Sequence, residues 1–446
     1  MSAVRTWFWP AFALVYPFVV WPFTPSLEGV VRAKHFFVLG ALLLGLFLEL
    51  TAHPQLHLRD LTRMPAFLRR HPPLVLALLL AFWMGLSTAF SPQPEVALTG
   101  SLAHGGDGLI WSLMMVGVLV LGYLRALADP GLGERVAWAV VGGASLLALG
   151  AGLEVLTQRG LYYPASPGSL PLVTFPGKGH LAAYFVLGFG VAAGLYLQGK
   201  GKAWPLLVLL GLSAFALGLT YNRAGMGGVA LAALLVLWKA PRKGLVVLLV
   251  AAMGIASGWK AVALANPGGG REVASAHTFF TRLYFWKAAL GGIAERPLLG
   301  WGGGVFESYW ASYLSHEDKT AFVREELGRE GYTKDYILPP GPVVFILHAN
   351  GETQVLRIYL FRAHNFMLEI ALKWGVPGLV LFLLILVWSV LARGEWALRL
   401  GLVALLPYLL MWFLMAEYEP SAYLVLGLLC AKNASRPQAL AQGLEG

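Results

Sequence analysis

Apolar residues run along this chain in long stretches broken by short polar connections. Twelve such runs fall near residues 6–23, 33–50, 74–90, 108–127, 136–154, 180–198, 203–220, 224–239, 243–262, 375–392, 397–415 and 418–431. Crossing a bilayer core as a helix takes roughly 20 residues, and most of these runs approach that length. Between the ninth and tenth runs lies a polar stretch, 263–363, of about 100 residues, too long for an idle connection. The pattern predicts an all-α polytopic membrane protein with about 12 transmembrane helices and one large, partly helical loop. Its parts are helices 1–9 in residues 1–262, the loop in 263–374, three further helices in 375–432 and a tail in 433–446.

Composition sharpens this reading. The 446 residues are 58% hydrophobic and 13% charged, against roughly 25% charged in an ordinary soluble domain. Disorder and collagen are excluded, and the single Cys430 rules out an intrachain disulfide. Arg5 followed by residues 6–23 has the outline of a signal peptide. It lacks a small-x-small cleavage site and is rich in Trp and Phe, so it reads as a retained first span.

The formal charge of +10 lies in the connections, where basic residues set topology. One set of alternate connections holds Arg5, Arg59, Arg63, Arg69, Arg70, Arg125, Arg135, Lys200, Lys202, Lys239, Arg242, Lys243, Arg393, Arg399, Lys432 and Arg436. The opposite short connections hold only Arg32, Lys34, Arg159, Lys178 and Arg223. The positive-inside rule makes the rich side cytoplasmic, both termini internal and the long loop external. No basic run with interleaved aromatics is present, so nucleic acid is not an expected partner.

Candidate chemistry gathers on the external side. Arg223 sits in a minimal connection, Thr220-Tyr221-Asn222-Arg223-Ala224-Gly225. A charge at that depth needs a partner or a wet cavity, although a lone Arg can also snorkel to the boundary. Phe279, Leu283, Trp286, Leu290 and Ile293 recur at helical spacing and predict an amphipathic helix, with Arg282 and Lys287 off its apolar stripe. The glycine-rich 300–304 segment has no following Gly-Lys-Ser/Thr, so it reads as a tight turn and not as a nucleotide loop. If residues 365–374 are helical, Asn365, Glu369 and Lys373 share a face, with Arg362 and His364 just before them. Paired carboxylates for a hard cation would be Glu317-Asp318 or Glu417 and Glu419. The first pair reads as solvated surface, as does Glu325-Glu326, and the expectation is a metal-independent, cofactor-free protein.

Taken together these segments resemble the bacterial O-antigen ligase family, which also covers O-antigen polymerases and protein O-oligosaccharyltransferases. The resemblance rests on His364-Asn365 followed after nine residues by Gly375 and then Gly378. It also rests on the Arg223 segment and on Arg282–Trp286 leading into Arg296-Pro297-Leu298-Leu299-Gly300-Trp301. Residues 175–183 resemble a family stretch in which Asn commonly stands at the place of His180. The match covers roughly residues 170–390. It implies transfer of a glycan from a polyprenyl (undecaprenyl) diphosphate donor to an acceptor hydroxyl, at the periplasmic face of the bacterial inner membrane. The acceptor would be lipid A–core or a similar surface molecule, as in lipopolysaccharide biosynthesis. In that scheme Arg223 and Arg282 bind the diphosphate, with Lys178 as a third cation, because Arg stays charged and grips phosphate oxygens in pairs. His364, near its ordinary pKa of roughly 6.5, takes the acceptor proton or orients the hydroxyl, and Asn365 positions it. His180 and Arg362 are further candidates. A polymerase or an oligosaccharyltransferase of the same superfamily, and a transporter of lipid-linked sugars, are the competing readings.

Overall fold

The computed structural model describes residues 2–21, 23, 27–52, 64–100, 107–165, 167–266, 276–315, 317–319, 321–322, 333–337, 343–348, 353–357, 362–392 and 394–434. The described helices are α1 Ser2–Val15, α2 Leu27–Ala52, α3 Met64–Arg70, α4 Pro72–Ala89, α5 Pro94–Thr99, α6 Leu109–Ala128, α7 Leu132–Thr157 and α8 Lys178–Gln198. They continue as α9 Ala203–Thr220, α10 Arg223–Lys239, α11 Pro241–Ala265, α12 Ala276–Glu295, α13 Phe366–Val390, α14 Trp396–Leu410 and α15 Glu419–Ala434. Every predicted apolar run overlaps one of them, although the runs 6–23 and 397–415 extend past the ends of α1 at Val15 and α14 at Leu410. Among the described residues eight helices are long and apolar enough to cross a membrane, lying in α2, α4, α6, α7, α8, α9, α11 and α13. The chain is a helical, polytopic membrane protein. The shorter bundle helices α1, α10, α14 and α15 have 14, 17, 15 and 16 residues.

The bundle is organised around α8. Residues Leu181 to Leu195 are all buried, which fits a helix that is apolar on every side. Close approach comes from small residues: ideal Cβ atoms on Gly190 and Gly194 would run into the backbone of α14 at Leu400–Gly401 and Trp396–Ala397. α15 is the second enclosed helix and packs on α6, while α2 and α11 lie at the periphery with much apolar surface exposed.

Charged residues at one end of the bundle are paired. Arg5 meets Glu49 (2.6 Å), Arg125 and Arg135 share Asp129 (3.0 and 2.5 Å), Lys200 meets Glu134 (2.8 Å) and Lys432 meets Glu395 (2.9 Å). These cations belong to the basic-rich set of connections, and the structure collects them on one side.

The apolar run at 375–392 and the expected short helix at 365–374 form one element, α13, kinked at Trp374 and Gly375. The expected boundary between loop and last helices therefore falls inside a helix. Gly375 has φ 67° and ψ 179°, a conformation essentially reserved for glycine. A kink frees backbone carbonyls, and in an apolar bundle they must find donors. Leu372 O accepts from Trp301 N (2.7 Å) and Lys373 O from Gly302 N (2.9 Å), with Val376 N returning a bond to Pro297 O (2.7 Å). Lys373 O also accepts from Ser87 Oγ (2.7 Å), and Trp374 O from Trp83 Nε1 (2.9 Å). The glycine-rich segment is thus a clamp across the kink, more specific than the tight turn its sequence suggested.

The long loop also contains an unforeseen antiparallel sheet, β1 Thr333–Ile337, β2 Val343–His348 and β3 Thr353–Arg357, in the order β1-β2-β3. Ile337 pairs with Phe345, and Val343 with Arg357. The cue was present: two short runs rich in β-branched residues flank Asn350-Gly351, a strong hairpin signal. Glu325 and Glu326 lie outside the described residues.

Candidate functional site

At the end of the bundle opposite the paired basic residues, Trp412 and Phe413 follow α14 and stack on each other (5.6 Å between centroids). The His364 ring meets both edge-on, at 4.9 and 5.2 Å, and lies flat against Phe285 of α12 at 5.3 Å. Its backbone has φ 47°, an uncommon conformation for a non-glycine residue and costly unless its surroundings enforce it. Nδ1 lies 2.8 Å from Arg362 O. A carbonyl only accepts, so Nδ1 carries the proton and Nε2 presents its lone pair. Packing among three aromatic rings disfavours the charged ring, and burial lowers the His364 pKa to about 4. This corrects the expectation of an imidazole near its ordinary value: His364 is neutral and only weakly basic.

Arg282 projects from α12 with its guanidinium carbon 5.4 Å from the centre of the Trp412 ring. Its Nε is buried and has no hydrogen-bond partner among the described residues. Burial lowers its pKa from the ordinary arginine value, yet an arginine stays charged. The residue is a desolvated cation whose buried donor awaits an acceptor.

His180, on the first turn of α8, faces the same tryptophan at 6.1 Å. Gly179 beside it packs on Trp412, and its carbonyl accepts from the Tyr408 hydroxyl at 2.8 Å. His180 Nδ1 lies 3.6 Å from Oε1 of the fully buried Glu417. Lys34, also fully buried, lies within electrostatic reach of Glu417, and its ammonium donates to Tyr16 O at 3.3 Å. Lys178 donates to Gly168 O at 2.6 Å, within the loop leading to α8.

Two predicted residues serve the fold. Arg362 is buried between Asp107 (3.1 Å) and Glu369 (2.9 Å), with Glu369 also held by Lys373 at 3.2 Å. Burial alone would lower its pKa, but the neighbouring carboxylates of Asp107, Glu369 and Glu307 raise it above the ordinary value. With two carboxylates on it, its charge is already neutralised. Asn365 caps α13: its side-chain oxygen accepts from Met367 N and Leu368 N, and its amide donates to Leu410 O. It thereby ties the His364 turn to the end of α14.

Arg223 is exposed at the first turn of α10, behind the Asn222 cap. Gly227 packs against Pro407 and Gly228 against Ala404, so α10 and α14 run antiparallel. Four residues back on one helix and four on along the other put Arg223 level with Met411. It shares the end of the bundle with Trp412, although no contact joins it to Arg282 or His364.

The carboxylates weighed for a cation have other partners. Glu419 accepts from Trp111 Nε1 at 2.8 Å, and Asp318 pairs with Lys287 at 2.5 Å. Among the described residues no group of three or more His, Cys, Asp or Glu side chains is arranged to hold a metal ion. Sequence reasoning missed Trp412, the aromatic residue that organises the site, and the pairing of Glu417 with His180. The chain matches no protein-family model, no curated protein and no solved structure.

Proposed function

We propose that this protein transfers a glycan from a polyprenyl diphosphate carrier to an acceptor hydroxyl at the periplasmic face of the inner membrane, with both termini cytoplasmic. The reading takes the twelve bundle helices as membrane spans. The observation that carries it is the convergence of Arg282, His180 and His364 on Trp412, with the Arg282 Nε buried and lacking an acceptor. A diphosphate suits that cation: it is anionic, rich in acceptor oxygens, and gains charge as the glycosyl bond breaks. A donor that strengthens its hold on the leaving group as charge develops lowers the barrier specifically. The lipid tail would approach laterally between helices. Arg223, level with Met411, and Lys178 add positive potential around the mouth of the site.

In this scheme His364 orients the acceptor. Its Nε2 lone pair accepts a hydrogen bond from a second, non-reacting hydroxyl of the acceptor, while its low basicity keeps the ring neutral over the physiological range. Asn365 holds that turn in place. The favoured acceptor is lipid A–core or a similar surface molecule. A polymerase or protein O-oligosaccharyltransferase would use the same donor site and differ in what enters opposite it. A transporter is disfavoured because the polar groups gather at one end of the bundle rather than at its middle.

The direct test is binding of radiolabelled undecaprenyl diphosphate to the full chain in proteoliposomes. Losing hydrogen bonds to a charged partner is worth roughly 1.5–3 kcal/mol, so Arg282→Ala should weaken binding about 10- to 100-fold. Equal binding by wild type and variant would refute the donor site. Mass spectrometry of surface lipids, glycans and proteins from a deletion strain then identifies which acceptor loses its glycan.

A further inference from the structure

Glu417 stands out because its charge is buried beside His180 and Lys34 without a close hydrogen bond among the described residues. Both carboxylate oxygens are buried without a hydrogen-bond partner among the described residues. A buried carboxylate that only holds the fold looks different here. Glu154, equally buried, accepts from the backbone N–H groups of Leu161, Leu172 and Val173 at 2.6, 2.6 and 2.9 Å. Glu417 instead points one oxygen at the His180 Nδ1, which is likewise buried and unsatisfied. At 3.6 Å the pair is longer than a formed hydrogen bond, and catalytic pairs of this kind commonly tighten only when substrate is bound.

The opposite edge of the ring is placed for chemistry. An ideal Cβ on Gly177 would stand 3.8 Å from His180 Nε2, so that edge faces the turn that begins α8. A carboxylate on Nδ1 fixes the tautomer, leaves the lone pair on Nε2 and stabilises the imidazolium that forms there. His364, by contrast, has only a backbone carbonyl on its Nδ1, and burial lowers its pKa to about 4. Both rings pack on Trp412, which brings them to the same end of the bundle.

We propose that His180 is the general base of the site and Glu417 its positioning residue. The inference rests on the glycan-transfer reading above and names who takes the proton. The acceptor O–H gives its proton to His180 Nε2 as its oxygen bonds to the anomeric carbon. The bond from that carbon to the diphosphate oxygen breaks, and its electron pair leaves on the diphosphate beside Arg282. The imidazolium, held by Glu417, then passes its proton to solvent. Groups within electrostatic reach of Glu417 are Lys34, Glu419 and the phenols of Tyr16, Tyr163, Tyr408 and Tyr418, while Arg282 acts on the adjoining Tyr408 and His364.

The test uses the full chain in proteoliposomes, an undecaprenyl-diphosphate-linked trisaccharide and core lipopolysaccharide, with transfer followed from pH 5 to 9. Glu417→Gln should lower kcat at least 100-fold, in line with the usual 10²–10⁴ for general-base help, with donor KM within threefold. Removing the carboxylate should also move the acid limb of the profile to lower pH, which a merely structural role would not do. Glu417→Asp should restore part of the rate. His180→Asn changes a half-buried residue, keeps the argument testable if Glu417→Gln does not fold, and should remove the acid limb altogether. Transfer within threefold of wild type with the limb in place, in His180→Asn or in a folded Glu417→Gln, would overturn the pair. Loss of the limb in His364→Asn but not His180→Asn would overturn it too. Wild type that neither binds undecaprenyl diphosphate nor transfers would remove the parent reading, and the pair with it.

Discussion

Replacing Gly375 with alanine tests the clamp that sets where α13 begins and therefore where His364 stands. Two costs are separable. The φ of 67° with ψ of 179° carries roughly 1–3 kcal/mol of backbone strain for any other residue. The new methyl would also drive into the Leu298 carbonyl, prying apart the three backbone bonds of Trp301, Gly302 and Val376 across the kink. At about 0.5–1.5 kcal/mol each they bring the total to about 2.5–7.5 kcal/mol. Gly394 supplies the control, because it has φ 88° but no atom within 4 Å of an added Cβ. Gly394→Ala should cost only the left-handed backbone term, roughly 1–2 kcal/mol. Cys430 is the sole cysteine and is buried, so its reaction with a thiol-reactive fluorophore reports unfolding in detergent. At roughly 2.1 cal/mol/K per residue, Gly375→Ala should lower the midpoint by about 3–8 °C and Gly394→Ala by about 1–2 °C. Equal shifts would show that the contact with Leu298 contributes nothing and that the clamp argument is wrong.

His364 gives a pH dependence. Its pKa of about 4 in the fold lies below the roughly 6.5 of an unfolded histidine, so its contribution is present above pH 6.5 and fades as pH falls toward 4. Linkage puts the loss between pH 7.5 and pH 5 at about 2 kcal/mol. His364→Asn, which tolerates the positive φ, should flatten that part of the thermal profile, and an unchanged slope would refute the burial argument. For the loop before α8, Glu154→Ala removes the acceptor of three backbone N–H groups. It should cost roughly 3–5 kcal/mol and open residues 158–173 to limited proteolysis, whereas a protease-resistant variant would show the loop is held by other means.

Hydropathy alone made the bundle legible, because each lipid-compatible run must satisfy its backbone internally and so becomes a helix. The basic residues gathering at one end was legible for the same reason. His364, Arg282 and His180 were named from motifs, and the structure brings all three to one tryptophan. What the sequence hid are pairings between distant segments. Arg362 looked free for phosphate because Asp107 lies 255 residues before it. Its other partner, Glu369, was within reach of helical spacing reasoning. Glu417 invited a metal reading beside Glu419, yet Trp111 takes Glu419 while Glu417 turns to His180. Gly375 and Gly378 stood out as a signature, but only the clamp from residues 297–302 explains why the first must be glycine.

The same contrast sorts the charged groups by role. A buried cation flanked by carboxylates, such as Arg362, has its field cancelled locally and steadies the elements it joins. The paired residues of the basic end, from Arg5 to Lys432, behave likewise. Arg282 differs in having no carboxylate paired with it among the described residues, and Glu417 mirrors it with two oxygens that make no hydrogen bond there. Burying polar atoms of both without a close hydrogen bond among the described residues is unfavourable, because each forgoes water for weaker protein contacts. On the reading proposed above, an anion at Arg282 and a proton donor at the ring in front of Glu417 would offset that cost. Under the glycan-transfer proposal, a phosphate-bearing donor and a hydroxyl-bearing acceptor would supply those two groups.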